Sequence, residues 1–199
     1  YLGRTAPQYV PFYRLPPRYH HLYTFERAVF SRESRTEILS LSEREKSVYQ
    51  QYYGTPEQRF HLLPPTLDLD RRPIADRQRV SAKLRGELGI NASDVLLLFV
   101  GSGFKTKGLD RAIVALASLP KDALSKTHLI VVGQDQPTPY LRLARKLGVG
   151  ERIKFLGGRM DIPELLAAGD LLIHPAYMEN TGTILLEAIA AGLPVIATD

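Results

Sequence analysis

The chain has 199 residues, with a hydrophobic content of 44% and a charged content of 24%, which is ordinary for a soluble globular protein. It contains no cysteine, so thiolate metal sites, cysteine nucleophiles and disulfide frameworks are excluded. No signal peptide and no apolar run of the roughly 18 residues that span a membrane are present, so we expect a cytoplasmic protein. The net charge of +5 favours an anionic partner, with a basic surface of no specific role as the alternative.

The first segment, residues 1–30, is rich in tyrosine and arginine. Its prolines prevent a regular helix in the first half, and a helix is expected in the second half. That helix should bury Leu22, Phe25, Val29 and Phe30 and turn its arginines outward. Tyrosine with arginine is typical of a membrane interface, so this segment is predicted to dock on an anionic membrane surface. Packing against a partner domain is the alternative, and no nucleic-acid-binding module is recognisable.

Shorter elements follow the aromatic segment. Residues 37–41 and 60–63 are predicted strands, and Ser42 with Glu45 forms a capping box that starts a helix reaching about Tyr53. Two prolines end the second strand and place a domain boundary there. We therefore divide the chain into residues 1–63, the end of one domain, and residues 64–199, most of another.

Apolar runs and helical patterns alternate through the rest of the chain. Strands are expected at residues 95–100, 129–132, 153–156, 171–174 and 195–197. Helices are expected at residues 80–88, 109–119, 140–147, 162–168 and 183–191. This alternation predicts an α/β fold, a Rossmann-like parallel sheet with helices on both faces.

A glycine-rich loop, residues 101–108, follows the first strand of that sheet. It is neither a Walker loop, because no lysine follows its last glycine, nor a dinucleotide fingerprint, because its glycines are spaced too widely. Ligands bind at the carboxyl edge of such sheets, so the loop is predicted to hold a diphosphate. A solvated loop with surface lysines is the alternative. The residues expected to contact the ligand are Gly101, Ser102, Gly103, Lys105 and Lys107.

Two acids eight positions apart, Glu179 and Glu187, surround a predicted helix start. Amides at a helix start bind anions, and carboxylates accept hydrogen bonds from sugar hydroxyls, so the segment suggests a phosphorylated sugar ligand. Glu187 lies in an otherwise apolar helix, where burying a charged side chain is costly and suggests a specific role. The intervening residues expected to bind the ligand are Asn180, Thr181, Gly182 and Thr183. His174 precedes them and is given no catalytic role.

A third loop, residues 157–161, follows the third strand of the sheet. Arg159 and Met160 are candidates for contacting a nucleotide base. A glycine-rich turn in which Asp161 caps the next helix is the alternative.

Together these motifs resemble the retaining nucleotide-sugar glycosyltransferases with two facing Rossmann-like domains, the GT-B architecture. The Glu179-x7-Glu187 pattern is a hallmark of that family. Within it, the chain most resembles the bacterial lipopolysaccharide core glucosyltransferases, which move glucose from UDP-glucose to an inner-core heptose with retention of configuration.

The resemblance implies residue roles and a location. Glu179 would contact the transferred sugar, Glu187 the ribose, and Lys107 the diphosphate leaving group, with Glu179 and Lys107 as the catalytic pair. No metal and no other cofactor are implied, and residues 1–30 would face the cytoplasmic side of the inner membrane. Residues 1–63 would belong to the acceptor-side domain and residues 64–199 to the donor-binding domain.

The chain begins at Tyr1 and stops directly after a buried-looking strand, so we expect a fragment of a longer protein that is inactive alone. Two other classes stay open. A nucleotide-dependent epimerase or oxidoreductase would need a dinucleotide fingerprint, which the chain lacks. A non-catalytic nucleotide-binding or membrane-binding Rossmann-like module finds its main support in residues 1–30.

Overall fold

The computed structural model describes residues 17–179 and 181–198. The chain divides into two compact units, Tyr1–Pro65 and Thr66–Asp199. Their boundary lies two residues after the position expected from the proline pair. The first half of the predicted membrane-docking segment lies outside the described residues.

The described part of the first unit consists of helices and short strands. These are α1 (Pro17–Phe30), β1 (Ile38–Ser40), α2 (Glu43–Tyr53) and β2 (Phe60–Leu62). The two strands pair in parallel. The hydroxyl of Ser42 accepts a hydrogen bond from the Glu45 amide at 3.3 Å, which confirms the predicted start of α2.

The buried side of α1 differs from the prediction. Leu22 and Phe25 were expected in the core but remain 42% and 67% exposed. The helix contacts α2 through its last turn: the Phe30 ring stacks on Tyr49 with the centroids 3.7 Å apart, and Glu26 accepts a hydrogen bond from the Tyr53 hydroxyl at 2.9 Å. An apolar pattern shows which residues could be buried, but it does not show which turn of the helix meets a neighbour.

The second unit alternates strands and helices. Its elements are α3 (Arg77–Leu88), β3 (Val95–Val100), α4 (Leu109–Ala117), α5 (Lys121–Ser125), β4 (Thr127–Val132), α6 (Thr138–Lys146), β5 (Ile153–Gly157), α7 (Ile162–Ala168), β6 (Leu171–His174), α8 (Thr183–Ala190) and β7 (Val195–Ala197). The strands form a five-stranded sheet in the order β5-β4-β3-β6-β7, and every pair is parallel. The helix α5 was not predicted, because five residues are too few to show a helical period.

Helices cover both faces of this sheet. On β3, Leu96 and Leu98 belong to an apolar cluster that includes residues of α3, α7 and α8. Leu97 and Phe99 point the other way, into a cluster with residues of α4 and α6. A central strand buried on both faces needs an uninterrupted apolar run, which this sequence supplies. The predicted α/β fold is therefore confirmed.

A buried arginine joins α3 to the amino ends of the sheet strands, opposite the carboxyl ends at which such sheets bind ligands. The Arg85 guanidinium donates to the carbonyls of Ala168 and Asp94 at 3.1 and 2.9 Å, and to Asp170 at 2.5 Å. The same Asp170 carboxylate accepts the Leu96 amide at 2.7 Å. Because the amino ends of β3 and β6 are fixed in this way, the loops at their carboxyl ends project from a rigid base.

Candidate functional site

The loops that follow β3, β4, β5 and β6 surround a cavity of about 460 Å³ in the second unit. It lies at the carboxyl edge of the sheet, where open parallel sheets bind ligands. The lining residues are Arg71, Val100, Gly101, Ser102, Lys107, Val132, Gly133, Gln134, Gly158, Arg159, Met160, Ile162, His174, Glu179, Gly182, Thr183, Ile184 and Glu187.

Most residues predicted to hold the donor line this cavity. They are Gly101, Ser102, Lys107, Arg159, Met160, Glu179, Gly182, Thr183 and Glu187. Gly103, Lys105 and Thr181 do not line it. Asn180 lies outside the described residues.

The burial of Phe104 explains why only some residues of the glycine-rich loop line the cavity. Its side chain is 2% exposed and packs edge-on against Phe99 and Tyr140, with ring centroids 6.1 and 5.5 Å away. Its amide donates to Asp135 at 2.7 Å. With Phe104 buried in the core, the neighbouring Lys105 is exposed outside the cavity lining.

Gly108 brings the end of the same loop against the end of β6. A Cβ atom at this position would lie 2.0 Å from the carbonyl oxygen of Pro175, and φ is +73°. Only glycine allows this approach without displacing backbone. The preceding residue, Lys107, is thereby placed beside the acidic segment after β6.

Among the described residues, Glu179 accepts hydrogen bonds from Lys107, His174 and the Gly182 amide. Its Oε2 atom lies 2.6 Å from Lys107 Nζ and 2.6 Å from His174 Nε2. Its Oε1 atom accepts the Gly182 amide at 3.1 Å. Lys107 and Glu179 had been assigned to different parts of the ligand, and in this structure they form an ion pair with each other.

The environment of Glu179 keeps it ionised. Burial by itself would raise its pKa, but the hydrogen bonds from Lys107, His174 and the Gly182 amide outweigh burial and lower the pKa to about 2. The Gly182 amide is therefore engaged by Glu179, whereas the sequence had suggested that it was open to a ligand. Thr183, the first residue of α8, follows it and lines the cavity.

Glu187 contributes a second carboxylate from inside α8. It is partly buried and lines the same cavity. Burial raises its pKa, the Arg71 guanidinium opposes this increase, and the Asp68 carboxylate adds to it. The two acids of the predicted motif therefore line one cavity, but their pKa values move in opposite directions.

The loop after β5 supplies the rim of the cavity. The Arg159 guanidinium donates to both carboxylate oxygens of Asp161, at 2.7 and 2.5 Å. Met160 is 86% exposed beside it. Both residues line the cavity, but Arg159 already has an anionic partner within its own loop.

Some lining residues were missed or undervalued. Arg71 lies on a 3₁₀ turn, Leu69–Arg71, in the polar connector after the first unit, and no spacing rule relates it to the sheet. Gln134 follows β4 and was ranked below the other strand-end loops in the sequence, yet it lines the cavity. His174 was given no role, yet it is 2% exposed and bonded to Glu179.

No helix within residues 17–179 or 181–198 is both long and apolar enough to cross a membrane. Across the same described residues, no three or more His, Cys, Asp or Glu side chains gather in a group that could hold a metal ion.

Comparison with known proteins connects this cavity to one family. Residues 80–199 match the family described as glycosyl transferases group 1. The chain is 44% identical over 198 residues to the lipopolysaccharide glucosyltransferase WaaG of Escherichia coli strain K12. This alignment covers 100% of the chain but 53% of that relative, so the chain spans about half of its length.

Solved structures agree in fold. The crystal structure of WaaG, a glycosyltransferase involved in lipopolysaccharide biosynthesis, superposes with a TM-score of 0.89 at 44% identity, covering 99% of this chain and 53% of that chain. HepE of Anabaena, solved in complex with UDP-glucose, has a TM-score of 0.71 at 27% identity, covering 83% of this chain and 45% of that chain. Because the family match covers more than half of this chain, the chain belongs to the group 1 glycosyl transferases.

Proposed function

We propose that the protein to which this chain belongs transfers glucose from UDP-glucose to a heptose of the lipopolysaccharide inner core, with retention of configuration. The observation that carries this proposal is the Lys107–Glu179 pair in a cavity at the carboxyl edge of the sheet. A cation for a diphosphate lies beside an acceptor for sugar hydroxyls. The similarity to a lipopolysaccharide glucosyltransferase supports the acceptor, and the relative solved with UDP-glucose supports the donor.

Five of the lining residues have a part in this proposal. Glu179 accepts hydrogen bonds from the transferred sugar, and Glu187 accepts them from the ribose hydroxyls. Lys107 leaves Glu179 and pairs with the diphosphate, whose greater charge competes for the ammonium group. Arg159 and Met160 lie where the base would rest.

The chemical step follows from these positions. The bond between the anomeric carbon and the diphosphate oxygen breaks, and a bond from the same carbon to the acceptor oxygen forms on the same face. The acceptor hydroxyl proton passes to the departing diphosphate. Lys107 and the amides at the start of α8 stabilise the charge that develops on the leaving group, so no metal ion is required.

The two units have separate roles in this proposal. Thr66–Asp199 binds the donor, and Tyr1–Pro65 is the end of the acceptor-side domain. Residues 1–30, with their tyrosines and arginines, hold the protein on the anionic cytoplasmic face of the inner membrane.

Sugar transfer tests the proposal directly. The parent protein is incubated with radiolabelled UDP-glucose and lipopolysaccharide that ends at the inner-core heptoses. We expect label in the lipopolysaccharide and an α-linked glucose by NMR, matching the α-linked donor. Transfer from a different nucleotide sugar would contradict the donor, and a β-linked product would contradict retention.

A further inference from the structure

His174 ends β6 and lies directly beneath the acidic segment. Its side chain is 3% exposed, and its Nε2 atom lies 2.6 Å from Glu179 Oε2. Because β6 lies between β3 and β7 and His174 pairs with Ala197 of β7, the ring is attached to a strand of the sheet. Glu179, in contrast, lies in a loop between β6 and α8.

Two donors share one oxygen of Glu179. Lys107 Nζ and His174 Nε2 both lie 2.6 Å from Oε2, whereas the Gly182 amide bonds only Oε1. Lys107 is the exposed one of the two, with 24% of its side chain accessible, and it belongs to a loop. If Lys107 moves to an arriving diphosphate, His174 remains as a donor to Oε2.

The hydrogen-bond geometry also assigns the tautomer of His174. The ionised Glu179 carboxylate can only accept hydrogen bonds, so the proton of the imidazole lies on Nε2. The other ring nitrogen, Nδ1, is buried and has no hydrogen-bond partner. A proton placed there would have no acceptor, so the ring is suited to a single task, donating to Glu179.

We propose that His174 is a positioning residue, which holds Glu179 in place against the transferred sugar after Lys107 has left it for the diphosphate. This inference rests on the proposed function, because it requires a diphosphate to draw Lys107 away. Glu179 touches the sugar, and His174 acts through Glu179.

Three substitutions in the parent protein test this role. His174→Phe keeps the ring but removes the donor, and His174→Gln restores an amide donor near the position of Nε2. His174→Asn carries an amide too short to reach Glu179, and it replaces the Phe variant if that variant does not fold. Two readouts are compared: steady-state transfer from UDP-glucose, and the pKa of Glu179 by ¹³C NMR of labelled glutamate carboxyls.

With His174→Phe, we expect kcat to fall about 100-fold, the loss typical of a misplaced group, while KM for UDP-glucose is unchanged. The pKa of Glu179 should rise from about 2 towards its ordinary value of 4.5. His174→Gln should recover both readouts. Equal kcat in the Phe and Gln variants, or an unchanged Glu179 pKa in the Phe variant, would overturn the inference. If the wild type transfers no sugar, the proposed function fails, and the pKa comparison still decides whether His174 holds Glu179.

Discussion

Two carboxylates of one motif have opposite electrostatic environments. Glu179 has a pKa of about 2, because three hydrogen bonds outweigh its burial, whereas burial raises the pKa of Glu187. The interactions of ionised Glu179 therefore stabilise the fold fully above pH 4.5, and this contribution is lost as the pH falls towards 2. Because burial raises its pKa, the ionised form of Glu187 lowers the stability of the fold at neutral pH.

Lys107 should carry most of the affinity for the diphosphate. Hydrogen bonds to charged groups contribute about 1.5–3 kcal/mol, so Lys107→Ala should weaken UDP binding about 10- to 100-fold by calorimetry. Lys105→Ala is the matched control, because Lys105 is exposed two positions away and does not line the cavity. Equal losses in the two variants would show that general positive charge, rather than a specific contact, attracts UDP.

Glu187→Gln should stabilise the protein and weaken UDP binding at the same time. The folded-state pKa of Glu187 lies above its ordinary value, so the cost of the charge is present at neutral pH. It vanishes as the pH falls below 4.5. Thermal unfolding should therefore show a higher Tm for the variant at pH 7 and a shrinking difference towards pH 4.

The ligand arm of this experiment uses the same variant. UDP affinity should fall about tenfold, the effect of losing one charged acceptor. Glu151→Gln serves as the control, since Glu151 is exposed and lies outside the donor cavity. Unchanged UDP affinity in Glu187→Gln would refute the ribose assignment, and a lower Tm at pH 7 would contradict the predicted cost of the charge.

At the scale of elements, the site depends on loops that are fixed by close backbone contacts. The glycine-rich loop is held at one end by buried Phe104 and at the other by Gly108, which packs on Pro175. The loop after β6 is held by the Glu179 carboxylate, which accepts the Gly182 amide ahead of α8. Lys107 and Glu179 meet because these two loops meet.

Substitutions at two glycines of the glycine-rich loop can distinguish backbone strain from steric contact. Gly103 and Gly108 have φ of +74° and +73°, but a Cβ at Gly103 would meet nothing within 4 Å, whereas one at Gly108 would strike Pro175. Gly103→Ala should lower the free energy of unfolding by about 1–2 kcal/mol, the strain of the left-handed conformation. Gly108→Ala should cost more and should also abolish UDP binding. Urea unfolding curves that coincide for the two variants would disprove this packing.

At the scale of the whole molecule, charge is distributed between the cavity and the surface. The net charge is +5, and the cavity combines Arg71, Lys107 and Arg159 with the two acids of the motif. Cationic side chains and helix amides are the groups that hold a diphosphate in the proposed function. With these groups in the cavity, whether UDP binding also requires a divalent metal ion can be decided by measurement.

UDP binding should be independent of divalent metal ions. Titrations of the parent protein with UDP in EDTA and in millimolar Mg²⁺ should give the same dissociation constant, because in the proposed function Lys107 and the start of α8 neutralise the diphosphate. A large gain in affinity with Mg²⁺ would mean that the metal, rather than Lys107, carries this charge. Lys107→Ala measured with Mg²⁺ would then retain its affinity.

Much of the fold followed from local pattern. The apolar run at residues 95–100 and the helical spacing after it predicted β3 and α4, because a doubly buried strand and an amphipathic helix leave periodic traces. The short helix α5 was not predicted. Leu22 and Phe25 were predicted to be buried but are exposed. Five residues carry no period, and burial depends on a partner that the pattern does not contain.

The sequence by itself determined the parallel α/β architecture, the edge of the sheet where the cavity lies, and the acids Glu179 and Glu187 that line it. Tertiary structure decided that Lys107 pairs with Glu179, that His174 supports the same carboxylate, and that Lys105 lies outside the cavity lining. Periodicity and capping act over a few neighbouring residues and can be found along the chain. Contacts across 72 positions, such as that between Lys107 and Glu179, exist only after the strands have paired and the loops have closed.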